Sequence, residues 1–338
     1  MNIRSRTQIR RAVLAATAAT TVTAGLAACS PAAQKDDAAG YPSKPVEILV
    51  PAAPGGGWDQ TARAIQRTIQ DEDLSAKSVE VINKEGGGGA TGLAQLTSRS
   101  QGDPYQLMIG GLVMIGALEQ TESPLEITDA NVIATLTSES EVFVVPADSP
   151  YRTIQDVVDA YTEDPASVVF GGGSAGGSDH IAIGLLLDAA GQDPADMKYV
   201  GYAGGGEATA GILSGDVEVG VSGVTEFEGQ VESGKMRALA VTADDDVEVA
   251  GEPAPTLTDA GYDVDFVNWR AIFAPPEVSA AELDAVEEFV GEVHGSGAWS
   301  DVLEKNGWTD DYRSREESEK FIDEQQAATA KILEDLGL

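Results

Sequence analysis

The chain predicts an α/β fold of two lobes with a ligand cleft between them, and three observations carry that expectation. Short apolar runs alternate with glycine-dense loops and helical patterns in two successive sets. About 298 residues follow the N-terminal segments, more than one small core usually organises. A late apolar run, Asn268-Trp269-Arg270-Ala271-Ile272-Phe273-Ala274, reads as a strand returning toward the first set after the second is complete.

The first set opens with Val46-Glu47-Ile48-Leu49-Val50, a strand running into Pro54-Gly55-Gly56-Gly57-Trp58-Asp59. From Asp59 the spacing of Ala62, Ile65 and Ile69 is helical, with Asp59 placed as its cap. Val79-Glu80-Val81-Ile82-Asn83 is the next strand; Gly86 to Gly89 and a helical run through Leu93 and Leu96 follow, and Tyr105 to Gly110 is a third strand. Strand, loop and helix repeated in this way argue for parallel units with sites at the carboxyl ends of the strands. The second set follows the apolar run Val142 to Pro146, and its strands are Val168 to Phe170, Tyr199 to Gly201, Val217 to Val221 and Ala238 to Val241. Helical stretches at 153–161, 178–190 and 206–214 separate them, and the chain after 275 is mostly helical and charged. The economical division is 41–140 plus 275–338 for the first lobe and 141–274 for the second, joined by two crossing segments near 138–146 and 266–275.

Three glycine loops precede helices: 54–59, Gly171 to Ser178, and Gly204-Gly205-Gly206-Glu207. Glycine permits close backbone approach, and a helix starting there offers unpaired N–H groups and the positive end of its dipole to an anion. The remainder is acidic, with 21 Lys+Arg against 56 Asp+Glu and a formal charge of −35, so local backbone dipoles have to hold such a ligand.

At the N-terminus Arg4, Arg6, Arg10 and Arg11 precede an Ala/Thr/Val/Leu stretch ending in Leu26-Ala27-Ala28-Cys29. This is the layout of a signal peptide over 1–28, and its ending resembles a bacterial lipobox in which Cys29, the sole cysteine, is lipidated. Residues 29–40 then form an anchor and flexible tether with a reach of roughly 20 Å. Without 1–28 the balance becomes 17 basic against 56 acidic residues, which argues against nucleic acid as a partner. No later run reaches the ~20 apolar residues that span a bilayer. The expectation is an extracytoplasmic body tied to the outer face of the membrane by lipid, with no metal or cofactor: two histidines and one anchoring cysteine do not make a zinc site, and no phosphate-loop lysine is present.

Several of these stretches together resemble one family. Tyr41-Pro42-Ser43-Lys44-Pro45-Val46, the loop Val50 to Asp59 with Ala62-Arg63 behind it, Asn83 followed by Gly86 to Gly89 and Gly92, Ser174-Ala175-Gly176-Gly177-Ser178-Asp179-His180, Tyr202 to Gly206 and Trp269 to Pro276 are similar, in order and spacing, to the tripartite tricarboxylate transporter receptors, the Bug-type binding proteins. The resemblance implies a type II periplasmic-binding-protein fold, no catalysis, and a monomer that closes on a small carboxylate, such as citrate or a related organic acid, and hands it to a membrane permease. It implies that Gly55, Gly56, Gly57, Trp58 and Asp59 face Ser174, Gly176, Gly177 and Ser178 across the ligand. Ala52 departs from the aromatic residue often found there, and Trp58 from a small hydroxyl residue, so Trp58 is the candidate replacement wall.

His180, Tyr202 and Arg270 complete the candidate ligand set, the arginine because its fork suits a distal carboxylate, although an inter-lobe salt bridge is the alternative use. Two other functions fit parts of the chain. A carboxylate-sensing receptor for a signalling partner would share the cleft. A serine hydrolase would use the G-x-S-x-G match at Gly172 to Gly176 with Ser174 as nucleophile and His294 as base.

Overall fold

The computed structural model describes residues 40–203, 205–243 and 247–337. The signal segment, Cys29, nearly all of the tether, Gly204 of the third glycine loop and the run Asp244-Asp245-Asp246 lie outside the described residues.

In chain order the first half comprises β1 (Val46–Val50), α1 (Gly57–Asp71), β2 (Val79–Asn83), α2 (Ala90–Arg99), β3 (Gln106–Gly111), α3 (Leu112–Gln120), β4 (Asn131–Pro146), α4 (Ile154–Glu163), β5 (Val169–Gly172), α5 (Ser178–Ala189), β6 (Lys198–Gly201) and α6 (Gly205–Ser214). The second half comprises β7 (Val219–Gly223), α7 (Val224–Glu232), β8 (Met236–Val241), the short pair β9 (Glu248–Val249) and β10 (Glu252–Pro253), β11 (Val267–Ala274), α8 (Ala280–His294), α9 (Gly297–Asn306), β12 (Thr309–Arg313) and α10 (Arg315–Leu336).

β2, β1 and β3 pair in parallel, in that order, with Val46 opposite Val79 and Glu47 opposite Gln106. β11 is antiparallel to both β3 and β4, inserted between them. The 16-residue β4 is the structural bridge. Its first part pairs with β11 and β12, and from Glu141 onward it pairs with β7 and β8. Parallel β7, β5 and β6 continue the second sheet. One apolar core gathers Ile48, Leu107 and Phe273 with Val286, Phe289 and Trp299, so α8 and α9 pack back on the first sheet. Phe143, Phe170 and Leu186 anchor the core on one side of the second sheet, while Val144, Ile212 and Phe227 belong to a separate cluster.

Two local differences from the sequence reading have clear causes. α1 begins at Gly57, and Gly56 occupies the N-cap without a side-chain cap bond. Asp59 is therefore inside the first turn rather than the cap. β4 starts eleven residues before the apolar run that marks it in sequence, because its first part, Asn131 to Glu141, is rich in Thr, Ser and Glu yet almost wholly buried.

Candidate functional site

β1 delivers the chain into the first glycine loop at the mouth of the cleft. Asp59 is 4% exposed and accepts hydrogen bonds from the Gly55 N–H (2.9 Å), Arg63 Nε (2.9 Å) and Asn83 Nδ2 (2.9 Å). Burial works against its charge, but the bonds from Arg63, Gly55 and Asn83 outweigh that and hold its pKa below the usual carboxylate value. Asp59 thus ties the loop, the helix and the end of β2 into one piece. Gly57 meets the floor so closely that a Cβ there would lie 2.8 Å from the Arg270 Cζ, which leaves no room for any side chain.

The second loop is braced from within. The Gly173 N–H donates to the Asp179 carboxylate, the Gly176 N–H donates to His180 Nδ1 (3.0 Å), and Tyr199 Oη donates to the Gly173 carbonyl (2.8 Å). His180 stacks on Tyr199 with ring centroids 4.2 Å apart. Burial pulls its pKa down to about 4, so the imidazole is neutral and, accepting at Nδ1, carries its proton on Nε2. Ser178 is fully buried and its Oγ donates to Asp179 Oδ1 (3.1 Å). In the third loop the Ala203 N–H donates to Glu207 Oε2 (3.3 Å).

Between these loops lies a cleft of about 200 Å³. Gly56, Gly57, Trp58, Ser174, Gly177, Ser178, Tyr202 and Arg270 line it, as does Ala52. Gly55, Asp59, Gly176 and His180 are not among its lining residues. They stand behind the walls, and the contacts above show them shaping the loops. Trp58, only 6% exposed, and Ser178 stand in the first turns of α1 and α5, where backbone N–H groups have no intrahelical acceptor.

Arg270, a candidate from the sequence, stands at the floor among acids that sequence reasoning missed. Arg270, 1% exposed, forms a buried ion pair with Glu139, whose second oxygen accepts from Trp308 Nε1 (2.9 Å) and Thr225 Oγ1 (3.1 Å). Arg270 Nε and Nη1 have no protein partner, and neither does Asn268 Oδ1. Glu226 reaches across from α7 to accept the Gly57 N–H at 3.0 Å. Burial, then the charge of Asp179, raises its pKa to about 7. Burial likewise raises Asp179 to about 6. Glu141 is fully buried, and desolvation followed by the Asp179 charge pushes its carboxyl well above the usual range. Only one sequence signal pointed here: Ser138-Glu139-Ser140-Glu141 sets two acids directly before an apolar strand run.

These acids give the fold a signed pH dependence. Asp179 and Glu226 bind their protons more tightly in the folded chain than at the ordinary values of 3.8 and 4.5, and Glu141 does so too. Through them, stability rises as pH falls from the folded values near 7 and 6 toward the unfolded ones. His180 opposes this, because an unfolded imidazole titrates near 6.5 and the folded one near 4. Three carboxyls outweigh one imidazole, so the melting temperature is expected to climb between about pH 8 and about pH 5. Glu226→Gln should flatten the climb; scanning calorimetry showing a falling melting temperature over that interval would contradict the assignment.

The hydrolase geometry is not assembled. His294 Nε2 lies 3.1 Å from the Asp310 carboxylate and its ring stacks on Tyr312 (4.0 Å), while His180 is committed to the Gly176 N–H.

Comparison with known proteins follows the same outline. A family model described as the tripartite tricarboxylate transporter family receptor matches residues 61–338. The chain is 31% identical over 304 residues to a UPF0065 protein from the tcbD-tcbE intergenic region of a Pseudomonas strain, covering 87% of this chain and 84% of that one. Among solved structures, an R. palustris protein with adipate superposes with a TM-score of 0.79 at 20% identity, covering 88% of this chain and 99% of that one. MatC from Rhodopseudomonas palustris with bound malate gives 0.76 at 19% identity, covering 87% and 100%. The two superpositions establish a shared two-domain α/β binding-protein fold.

Proposed function

The chain belongs to the tripartite tricarboxylate transporter receptor family, and on that premise we propose that it captures a small carboxylate in the cleft outside the cytoplasm and delivers it to a membrane permease. One observation carries the reading: the first turns of α1 and α5 meet at a single cleft whose floor presents unpartnered Arg270 nitrogens. Charge-assisted hydrogen bonds contribute about 1.5–3 kcal/mol each and a helix N-terminus about 0.3–1 kcal/mol. A micromolar complex needs about −8 kcal/mol net of the cost of association, so several such donors have to converge. Proteins of this fold that hold malate and adipate support a dicarboxylate-sized ligand, and citrate belongs in the same set.

The lobes we assign are 41–140 with 275–338 and 141–274, hinged where β4 and β11 cross. We read the Glu226 bond to Gly57 and the close approach of Gly116 to Gly176 as marks of a closed conformation. Ligand would shift an open–closed population toward it. Small-angle scattering should show a smaller radius of gyration once a saturating ligand is present, and identical profiles would count against closure.

We assign Cys29 as the lipid attachment point that keeps the body at the membrane; among the described residues no helix is long and apolar enough to cross one. Cys29→Ser is expected to move the protein from the membrane fraction to the soluble fraction on cell fractionation, and continued sedimentation with membranes would refute the anchor. The direct test of capture is titration calorimetry of the protein, stripped of carried-over ligand by partial unfolding, against malate, adipate, succinate, citrate and a neutral sugar. Micromolar binding of a carboxylate with none of the sugar is the expected result; binding of the sugar alone would overturn the reading.

A further inference from the structure

We propose that carboxylate capture is coupled to uptake of a proton by Glu226, so that the cleft takes its ligand as an anion together with a proton. This rests on the carboxylate-receptor reading and deepens it.

Position is the first reason. Glu226 stands in α7, lines the cleft, and accepts the Gly57 N–H at 3.0 Å in the first turn of α1. Its other oxygen lies against Gly205 at the start of α6, so closely that a Cβ there would overlap it. Glu226 is thus a carboxylate tethered between two helix starts, beside the Trp58 position where the ligand carboxylate is expected.

Charge balance is the second. Arg270 is the one cation among the described lining residues, and Glu139 already pairs with it. Glu85 and Asp179 are the other acids of the lining. An arriving carboxylate therefore meets a negative wall, and the least costly response is for one acid to take a proton.

The neighbouring groups single out Glu226 as that acid. Glu141 of β4, fully buried beside Asn268 and Ser178, is pushed so far above the usual range that it holds its proton before ligand arrives. Asp179 of α5 accepts from the Gly173 N–H and Ser178 Oγ and titrates lower, at about 6. His180 is neutral and committed to the Gly176 N–H. Glu207 of α6 accepts from the Ala203 N–H, Arg237 of β8 donates to the Ala147 and Tyr151 carbonyls, and Glu248 of β9 is exposed. Burial and then the Asp179 charge place Glu226 at about 7, against the bonds from Gly57 and Ser222 that favour its ionised form. Once protonated it keeps an oxygen for the Gly57 N–H and gains an O–H to donate to the ligand carboxylate.

The test is titration calorimetry of the mature protein, stripped of carried-over ligand, with succinate, malate and adipate, all ionised at pH 7.5. Running each in HEPES and in Tris, which differ in heat of ionisation, counts the protons that move. About half a proton is expected to be taken up per ligand, with affinity rising about fivefold or more from pH 8 to pH 6. Glu226→Gln, which keeps an acceptor for the Gly57 N–H, should take up none and bind at pH 8 about as tightly as the parent does at pH 6. A thermal melt checks that the variant folds, and the two-buffer comparison on the parent decides the matter even where it does not. Equal binding heats in both buffers with flat affinity from pH 8 to pH 6 overturn the inference while leaving the carboxylate reading intact. Undiminished uptake in Glu226→Gln overturns the assignment to that residue, and silence for all three ligands and for citrate overturns both readings.

Discussion

Arg270→Met is expected to cost about 3–5 kcal/mol of folding stability, the usual consequence of stripping one partner from a buried ion pair. Arg270 and Glu139 are each 1% exposed at their side chains. Without the guanidinium, Glu139 keeps only Trp308 Nε1 and the Thr225 hydroxyl as donors, and Arg270 no longer packs over the Trp308 ring at 5.2 Å. The site lies where β11 meets both β3 and β4, with Arg270 opposite Gly111 on one side and Thr137 on the other, so the loss falls on the joint between the sheets. Pairing the change with Glu139→Gln should return a large part of the stability, because the uncompensated charge is gone. Urea denaturation reads both variants. A single variant less than about 1 kcal/mol below the parent would mean that the pair is already offset elsewhere.

Gly116→Ala is expected to weaken ligand binding by about tenfold or more while leaving the melt of the free protein nearly unchanged. Alanine is a better helix former than glycine by about 0.8–1 kcal/mol, and Gly116 lies inside α3, so local propensity favours the change. A Cβ at this position, however, would collide with the carbonyl oxygen of Gly176 in the second glycine loop. Two backbones that touch without intervening side chains leave nothing that can move aside except the lobes themselves. The variant should therefore favour the open form. Unaltered affinity together with an unaltered scattering profile would show that closure does not bring these two residues together.

α1 was legible because one face is apolar and the other wet, whereas β1, β5 and the return strand β11, buried on both faces, were legible as short, nearly continuous apolar runs of strand length. α3 escaped because Leu112, Met114, Ile115, Ala117 and Leu118 are all buried, and a helix apolar around most of its circumference has no 3.6-residue signal. The first part of β4 escaped for the opposite reason. Thr135 and Thr137 are buried and donate to the Asp311 and Thr309 carbonyls, and Glu139 pairs with Arg270, so this polarity is spent on protein partners rather than solvent. The glycine loops announced themselves through composition, and eight of the twelve candidate ligand residues line the cleft they frame. Asp59 and His180 were visible as residues, but their direction was not, since both turn back to brace their own loops. Glu226 was beyond reach from sequence: its bond to Gly57 joins positions 169 residues apart, and nothing in its neighbourhood marks a carboxylate destined for burial.

A crystal structure with a carboxylate bound is the most direct test of the account. The ligand carboxylate is expected within hydrogen-bond reach of the first turns of α1 and α5, at Trp58 and Ser178, with Arg270 beneath it. A ligand held with its carboxylate away from both helix starts, or bound outside this cleft, would contradict it.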